Sequence, residues 1–313
     1  MKKIEPSLQA LKLLSALASE GKLKRAARRL SMSQSAASHA LSALETNLGA
    51  ALFVRDPNGL KLSETAARLL PHVRKILDGL DAVRAEVSGL AHLQAGALRV
   101  AAVPTLAATI VPRLISEYNA LYPGIEVSLF EGTDDEVRDW VLTGVAQVGF
   151  AALPVAGLKC SELTQDEWLA LVPAGDFTRQ RKISLTALSQ SNFLVSGGGC
   201  EPYIEKVFEQ AGVEFPSHRT VKQMSTIQAM VAENLGVSLV PSLSVRSVPR
   251  GTRTLQLSPR QFRRIGLLQP PDAPALPVVE AWTALTEAHF RQKTVAVTKR
   301  LPAKKARRLA FIR

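Results

Sequence analysis

Residues 25–48 run Arg25-Ala26-Ala27-Arg28-Arg29-Leu30-Ser31-Met32-Ser33-Gln34-Ser35-Ala36-Ala37-Ser38-His39-Ala40-Leu41-Ser42-Ala43-Leu44-Glu45-Thr46-Asn47-Leu48. Ala26 and Ala27 are small enough for close helix contact, Ser31-Met32-Ser33 reads as a short turn, and Ser33 suits the N-cap of a second helix. Along that helix Ala37, Leu41, Leu44 and Leu48 step by four, three and four, which sets them on one buried stripe. Gln34, Ser35, Ser38, His39 and Ser42 are left facing outward. Short polar side chains at a helix N-terminus fit the DNA major groove and can bond to base edges. An ordinary solvated face would look the same, so the flanking segments decide between the two.

Upstream, Leu8, Leu11, Leu14, Leu17 and Ala18 recur at helical spacing after Pro6, and Gly21 stops the run. Downstream, Ala51-Leu52-Phe53-Val54-Arg55 turns at Asp56-Pro57-Asn58-Gly59 and returns through Leu60-Lys61-Leu62. Two short strands about such a turn predict a β-hairpin, with Arg55 and Lys61 placed for the DNA backbone or minor groove. Three helices and a hairpin make a winged helix-turn-helix.

These segments resemble the LysR-type transcriptional regulators. The resemblance rests on Ala26-Ala27-x-x-Leu30, Ser33-Gln34-Ser35-Ala36-Ala37-Ser38, Leu44-Glu45, Leu48-Gly49, Leu52-Phe53-x-Arg55 and Leu62-Ser63-Glu64. It implies base contacts from Gln34, Ser35, Ser38 and His39, and a backbone contact from Arg55. Lys24 stands where the family commonly carries a Ser or Thr cap, His39-Ala40 replaces a pair that is often Arg and Gln, and Ala66 replaces a frequent Gly.

From Ser63 a long helix is expected to run to about residue 94. Leu69, Val73, Ile76, Leu80, Val83, Val87 and Leu90 alternate spacings of four and three, a heptad seam that usually needs a partner helix. A homodimer or homotetramer is expected on that ground, and with it two heads suited to an inverted-repeat operator in double-stranded DNA. The other reading of the seam is a helix packed on its own domain. Pro71 should bend the helix or cost it one hydrogen bond.

After residue 94 strands and helices alternate. Strands are expected at 98–103, 125–130 and 146–151, with helices at 107–122 and 133–142. A second set comes after Pro173, with helices at 184–191, 201–211 and 225–233 and strands at 192–195, 219–222 and 237–240. A late strand at 264–268 and a helix at about 275–292 return to the first lobe. The pattern is that of an open parallel α/β sheet in two lobes. The family resemblance implies the same architecture, a periplasmic-binding-protein-like effector domain, although Gln147 sits where the family often has Asp. The domain reading is therefore head 1–63, linker helix 64–94, effector domain 95–292 and basic tail 293–313.

Ligands of such sheets bind at the carboxyl ends of strands, beside helix N-termini. The loops there offer Thr105, Thr133, Ser196, Gly197, Gly198, Cys200, Ser225 and Thr226, a set suited to a small anion such as a carboxylate. Taken singly, Thr105, Thr133 and Ser225 also read as plain N-caps. Cys200 reads either as a redox sensor with a lowered pKa at a helix N-terminus or as a small pocket residue.

Charge divides along the chain. Residues 1–93 carry a net charge of +6, residues 94–290 a net charge of −3, and residues 291–313 a net charge of +9. Basic ends around a mildly acidic body fit a polyanion-binding head, with a tail that either adds phosphate contacts or is simply solvated. Cys160 and Cys200 are too few for a disulfide framework. The glycines at 197–199 are not followed by the Lys-Ser/Thr of a phosphate-binding loop. The histidines His39, His72, His92, His218 and His289 lack metal spacing, and no nucleophile-base set stands out. No cofactor, metal or catalytic residue is expected, and neither a signal peptide nor a membrane span is read, so a cytoplasmic regulator is expected, with RNA polymerase as a further candidate partner. A ligand-free DNA binder whose body is a protein platform and an enzyme built on the α/β body are the competing readings.

Overall fold

A computed structural model describes residues 6–56, 59–87, 96–176, 178–245, 248–272 and 276–299. They form two compact units, one built on the N-terminal segment Met1–His92 and one on most of the remaining chain.

In the head, α1 (Leu8–Glu20) is capped by Ser7, whose Oγ accepts from the Ala10 N–H at 3.2 Å, and ends at Gly21 in the left-handed region (φ 63°). The second helix, α2 (Leu23–Arg29), is short and starts without a side-chain cap. Then comes α3 (Gln34–Leu48), where Ser33 Oγ accepts from the Ala36 N–H at 3.1 Å. Leu13, Leu14, Leu17, Leu44 and Leu52 are buried with Ala26, Ala27 and Ala37, so the expected small-residue contact and buried stripe are both present. Truncating any of these leucines to Ala would cost about 2–5 kcal/mol.

The wing is β1 (Phe53–Asp56) paired antiparallel with β2 (Gly59–Leu62), Arg55 opposite Leu60 and Val54 opposite Lys61. Its expected turn residues Pro57 and Asn58 lie outside the described residues. Glu45 ties the wing to α3, its Oε1 accepting from the N–H groups of Leu52 at 2.7 Å and Phe53 at 3.3 Å. Ser63 then caps α4 (Glu64–Val87) by accepting from the Ala66 N–H at 3.1 Å, while its hydroxyl donates to the Ala51 carbonyl at 2.7 Å. The helix continues through Pro71.

The heptad seam of α4 divides in two. Val73 is buried and Leu69 partly buried in the head core, beside Ala66 and Leu70, whereas Ile76 is 52% and Val83 61% exposed. The reading of a helix packed on its own domain thus holds for the first part of the seam, and Ile76 and Val83 further along are not covered by the head core. Residues 88–95, including Leu90, lie outside the described residues, as does the Val87 side chain.

The body is built on one nine-stranded sheet divided between two lobes. Lobe I holds β3 (Gly96–Ala102), β4 (Ile125–Glu131) and β5 (Val148–Leu153) in parallel, with α5 (Pro104–Ala107), α6 (Val111–Leu121) and α7 (Asp134–Leu142). Lobe II holds β8 (Phe193–Ser196), β9 (His218–Val221) and β10 (Val237–Pro241) in parallel, with α8 (Leu185–Ser189), α9 (Glu201–Gln210) and α10 (Met224–Ala232). In both lobes the first strand lies between the second and the third.

The sheet is mixed, not only the open parallel pattern expected within each lobe. Two long strands, β6 (Lys159–Pro173) and β11 (Thr252–Gln269), run antiparallel to each other through both lobes, β6 pairing with β10 and β11 with β5. The strand order is β4-β3-β5-β11-β6-β10-β8-β9, with short β7 (Lys182–Ile183) beside β11. Of the antiparallel pair, only residues 264–268 are expected as strand from the sequence. The helix expected at 107–122 is present as α6 but starts later, at Val111, after the separate short α5: Pro112 falls in its first turn, where its missing N–H costs nothing.

The return to lobe I is as expected. In α11 (Pro277–Lys299), fully buried Trp282 packs edge-on to Tyr118 at 5.3 Å and Phe150 at 6.2 Å, and Tyr118 donates to the Val278 carbonyl at 2.9 Å. The helix continues past 292, and residues 300–313 of the basic tail lie outside the described residues. Gln147 is buried, its Oε1 accepting from the Arg99 N–H at 2.9 Å, so that this amide extends the pairing between β3 and the approach to β5.

Candidate DNA-reading face and effector cavity

Gln34, Ser35, Ser38, His39 and Ser42 are all exposed along one side of α3, opposite the buried Ala37, Leu41 and Leu44. No acidic residue lies in the first turn, so the positive end of the helix dipole is left uncompensated. Ser35 Oγ lies 3.0 Å from the capping Ser33 Oγ, which ties Ser35 to the helix start more closely than the other four. Lys61 is exposed on β2, and the backbone of Arg55 lies in β1. The sequence reading passed over Lys24, Arg25 and Arg28, exposed cations on α2. Their signal was available, because the helix preceding a recognition helix crosses the sugar-phosphate backbone in this motif.

In the body, the strand-end loops of the two lobes border one cavity of about 570 Å3. Thr105, Thr133, Ser196, Gly198, Cys200 and Ser225 line it. Gly197 and Thr226 are not among its lining residues. Gly197 instead donates its N–H to the Val221 carbonyl at 3.1 Å, and a Cβ there would meet Thr220 Cγ2 at 2.6 Å. Gly198 is equally constrained, since a Cβ would lie 2.8 Å from the Lys222 carbonyl oxygen.

Several lining residues were missed: Thr109, Glu131, Glu136, Lys222, Gln223 and Gln228. Thr109 and Gln228 lie four and three residues beyond Thr105 and Ser225, a helical spacing that could have found them. Lys222 was read as the end of a strand, but β9 stops at Val221 and leaves Lys222 in the loop.

The N-cap alternative holds for one residue of three. Thr133 and Glu136 form a capping box: Glu136 Oε2 accepts from the Thr133 N–H at 2.8 Å and its hydroxyl at 3.1 Å, and Thr133 Oγ1 accepts from the Glu136 N–H at 3.3 Å. By contrast, the caps of α10 and α5 are Gln223 and Val103, neither with a side-chain bond, so Ser225 and Thr105 are not spent on capping.

A polar layer lies next to the cavity. Asp134 on lobe I accepts from the Tyr203 hydroxyl of lobe II and from the Ala152 N–H at 3.2 Å; burial pushes its carboxyl above the usual range, against the pull of these bonds. Arg263 of β11 holds Asp166 of β6 in a buried ion pair at 2.9 Å, with Asp166 Oδ1 also accepting from Ser242 Oγ at 2.7 Å and the Leu243 N–H at 3.1 Å. Burial likewise pushes the Cys200 thiol up, with Arg263 opposing, which corrects the idea that the helix N-terminus lowers it. Both cysteines are free thiols.

Two family descriptions match the chain: "Bacterial regulatory helix-turn-helix protein, lysR family" over residues 8–67 and "LysR substrate binding domain" over residues 91–291. The chain belongs to the LysR family. A relative, the "Uncharacterized HTH-type transcriptional regulator YvbU" of Bacillus subtilis, is 32% identical over 270 residues, covering 84% of this chain and 92% of the relative. The "Probable hydrogen peroxide-inducible genes activator" of Mycobacterium avium is 28% identical, covering 85% of this chain and 89% of its own length. Among solved structures, a full-length OxyR variant from Pseudomonas aeruginosa superposes with a TM-score of 0.75 at 24% identity, covering 92% of this chain and 95% of that one. CbnR in complex with its target DNA gives a TM-score of 0.61 at 22% identity, covering 90% of this chain and 99% of that one.

As a LysR-type protein the chain is a transcription regulator with a DNA-binding helix-turn-helix and an effector-binding domain, not an enzyme. Among the described residues no cluster of His, Cys, Asp and Glu could hold a metal ion, and no helix is long and apolar enough to cross a membrane.

Proposed function

We propose that this regulator is a cytoplasmic homodimer or homotetramer. It reads an inverted repeat in double-stranded DNA and is controlled by a small carboxylate-bearing effector held between the lobes of each body. Gln34, Ser35, Ser38, His39 and Ser42 meet base edges, while Arg55 and Lys61, joined by Arg25 and Arg28, meet phosphates. Residues 1–63 are the head, 64–94 the linker, 95–292 the effector domain and 293–313 a basic tail.

The single observation that supports effector control is the convergence of the strand-end loops of both lobes on one cavity. Its lining of hydroxyls, amides and Lys222 suits a small polar ligand. A ligand bound to both lobes changes the balance between their arrangements only as far as it favours one of them. Self-association is supported by Ile76 and Val83, apolar and exposed on the heptad stripe of α4. The protein-platform reading required loops closed by large side chains; Gly198, Ser225 and Thr105 at the cavity favour an open site instead. RNA polymerase is the expected partner at promoters that the protein activates.

Footprinting of the purified protein on its own upstream DNA, with and without small organic acids, tests the whole reading. Protection of two half-sites about one DNA turn apart, altered by an acid, is the expected result. A single protected half-site, unchanged by Gln34→Ala or Ser38→Ala, would overturn the head assignment.

A further inference from the structure

The two sides of the cavity carry opposite charge. Among the described residues its only lining cation, Lys222, belongs to lobe II, and its two lining carboxylates, Glu131 and Glu136, belong to lobe I. Lys222 and Glu131 are exposed and make no ion pair among the described residues. The two hydrogen bonds that Glu136 accepts from Thr133 both fall on Oε2. Around Lys222, Ser225, Gln223 and Gln228 supply neutral polar groups, and on the facing side Thr105 supplies a hydroxyl, those of Thr109 and Thr133 being engaged by the Thr105 carbonyl and by Glu136.

From this polarity, and resting on the effector reading above, we propose that the effector is a zwitterion of the α-amino-acid class. Its carboxylate sits on lobe II against Lys222, and its ammonium sits on lobe I against Glu131 and Glu136. A dicarboxylate would force its second anionic group towards two carboxylates, and a simple carboxylic acid would leave both facing an uncharged end, whereas a zwitterion pairs with both walls. The cavity, at about 570 Å3, has room for such a molecule with a side chain. Because the two charged groups sit on different lobes, one small molecule bridges them, and neither lobe alone holds both ends.

The test is calorimetric titration of the full chain with the proteinogenic amino acids and, in parallel, with the 2-hydroxy acid matching each. At least one amino acid should bind, with its 2-hydroxy counterpart at least about tenfold weaker, as expected for loss of a charge-assisted hydrogen bond. Glu131→Gln and Glu136→Gln, the latter preserving the capping box, should shrink that preference. Lys222→Met should weaken both ligand series together. If hydroxy acids bind as well as or better than amino acids, the zwitterion inference falls and the effector reading stands. If neither series binds, the zwitterion inference falls, and the effector reading is then decided by the footprint with other small organic acids.

Discussion

Lobe I and lobe II share a strand order and equivalent strand-end loops, yet they finish those loops differently. Lobe I closes the start of α7 on itself, with Thr133 and Glu136 exchanging hydrogen bonds at the cavity wall. Lobe II begins α9 at Cys200 and α10 at Gln223 with no side-chain cap, and presents Lys222. The same topology therefore yields one self-satisfied, acidic wall and one open, basic wall. Fold supplies the positions and a few loop residues supply the chemistry.

The most damaging way to break this comparison is to cut what the lobes share. Arg263→Met strands the buried Asp166 carboxylate between the crossing strands and should cost about 3–5 kcal/mol in urea unfolding. A loss below about 1 kcal/mol would mean that the pair is dispensable to the body. Capping sharpens the contrast at a smaller scale. Thr133→Ala should cost about 1 kcal/mol, whereas Ser225→Ala, which removes no cap, should cost at most a few tenths. Equal losses would erase the distinction between the walls.

The smallest effect is a pH dependence at Asp134. Its carboxyl is raised above 3.8 in the folded protein, chiefly by burial, so the folded state holds the proton more tightly than the unfolded chain does. Folding is favoured by this group below 3.8, and a penalty grows as pH rises from there through the raised folded value. Asp134→Asn should therefore gain stability relative to the parent on going from pH 4 to pH 7. A difference that moves the other way in urea melts at the two pH values would refute it.

The head was legible because its signals are local. Ser33 and Ser63 cap where their neighbours imply, and the spacing of Ala37, Leu41 and Leu44 matches the helix period. The body was legible where short strands alternate with helices, whether mostly apolar as in β8 and β10 or alternating as in β4. In β6 the apolar run Trp168 to Val172 was available as a signal but passed over, whereas Lys159 to Glu167 is polar and half-exposed and carries no strand pattern. Outside residues 264–268, β11 escaped because Pro259 and the irregular register between Gln256 and Gln261 interrupt its pattern. For the cavity, the residues chosen by hydroxyl and glycine chemistry largely line it, but its charges were missed. Glu131 and Lys222 lie beside the loops considered, and nothing local says which wall they face.

The two crossings also set an order of assembly. Lobe II is built from one stretch of chain running from β6 to the first half of β11, whose Leu255 and Leu257 join its core, whereas lobe I needs β3 to β5 together with the far half of β11 and α11. As the polypeptide leaves the ribosome, the head and then lobe II can form while lobe I waits for Trp282 to fill the space against Tyr118 and Phe150. A nascent chain stopped before α11 would carry its DNA-reading face and half of its cavity, but not the wall that bears the acids in folded form.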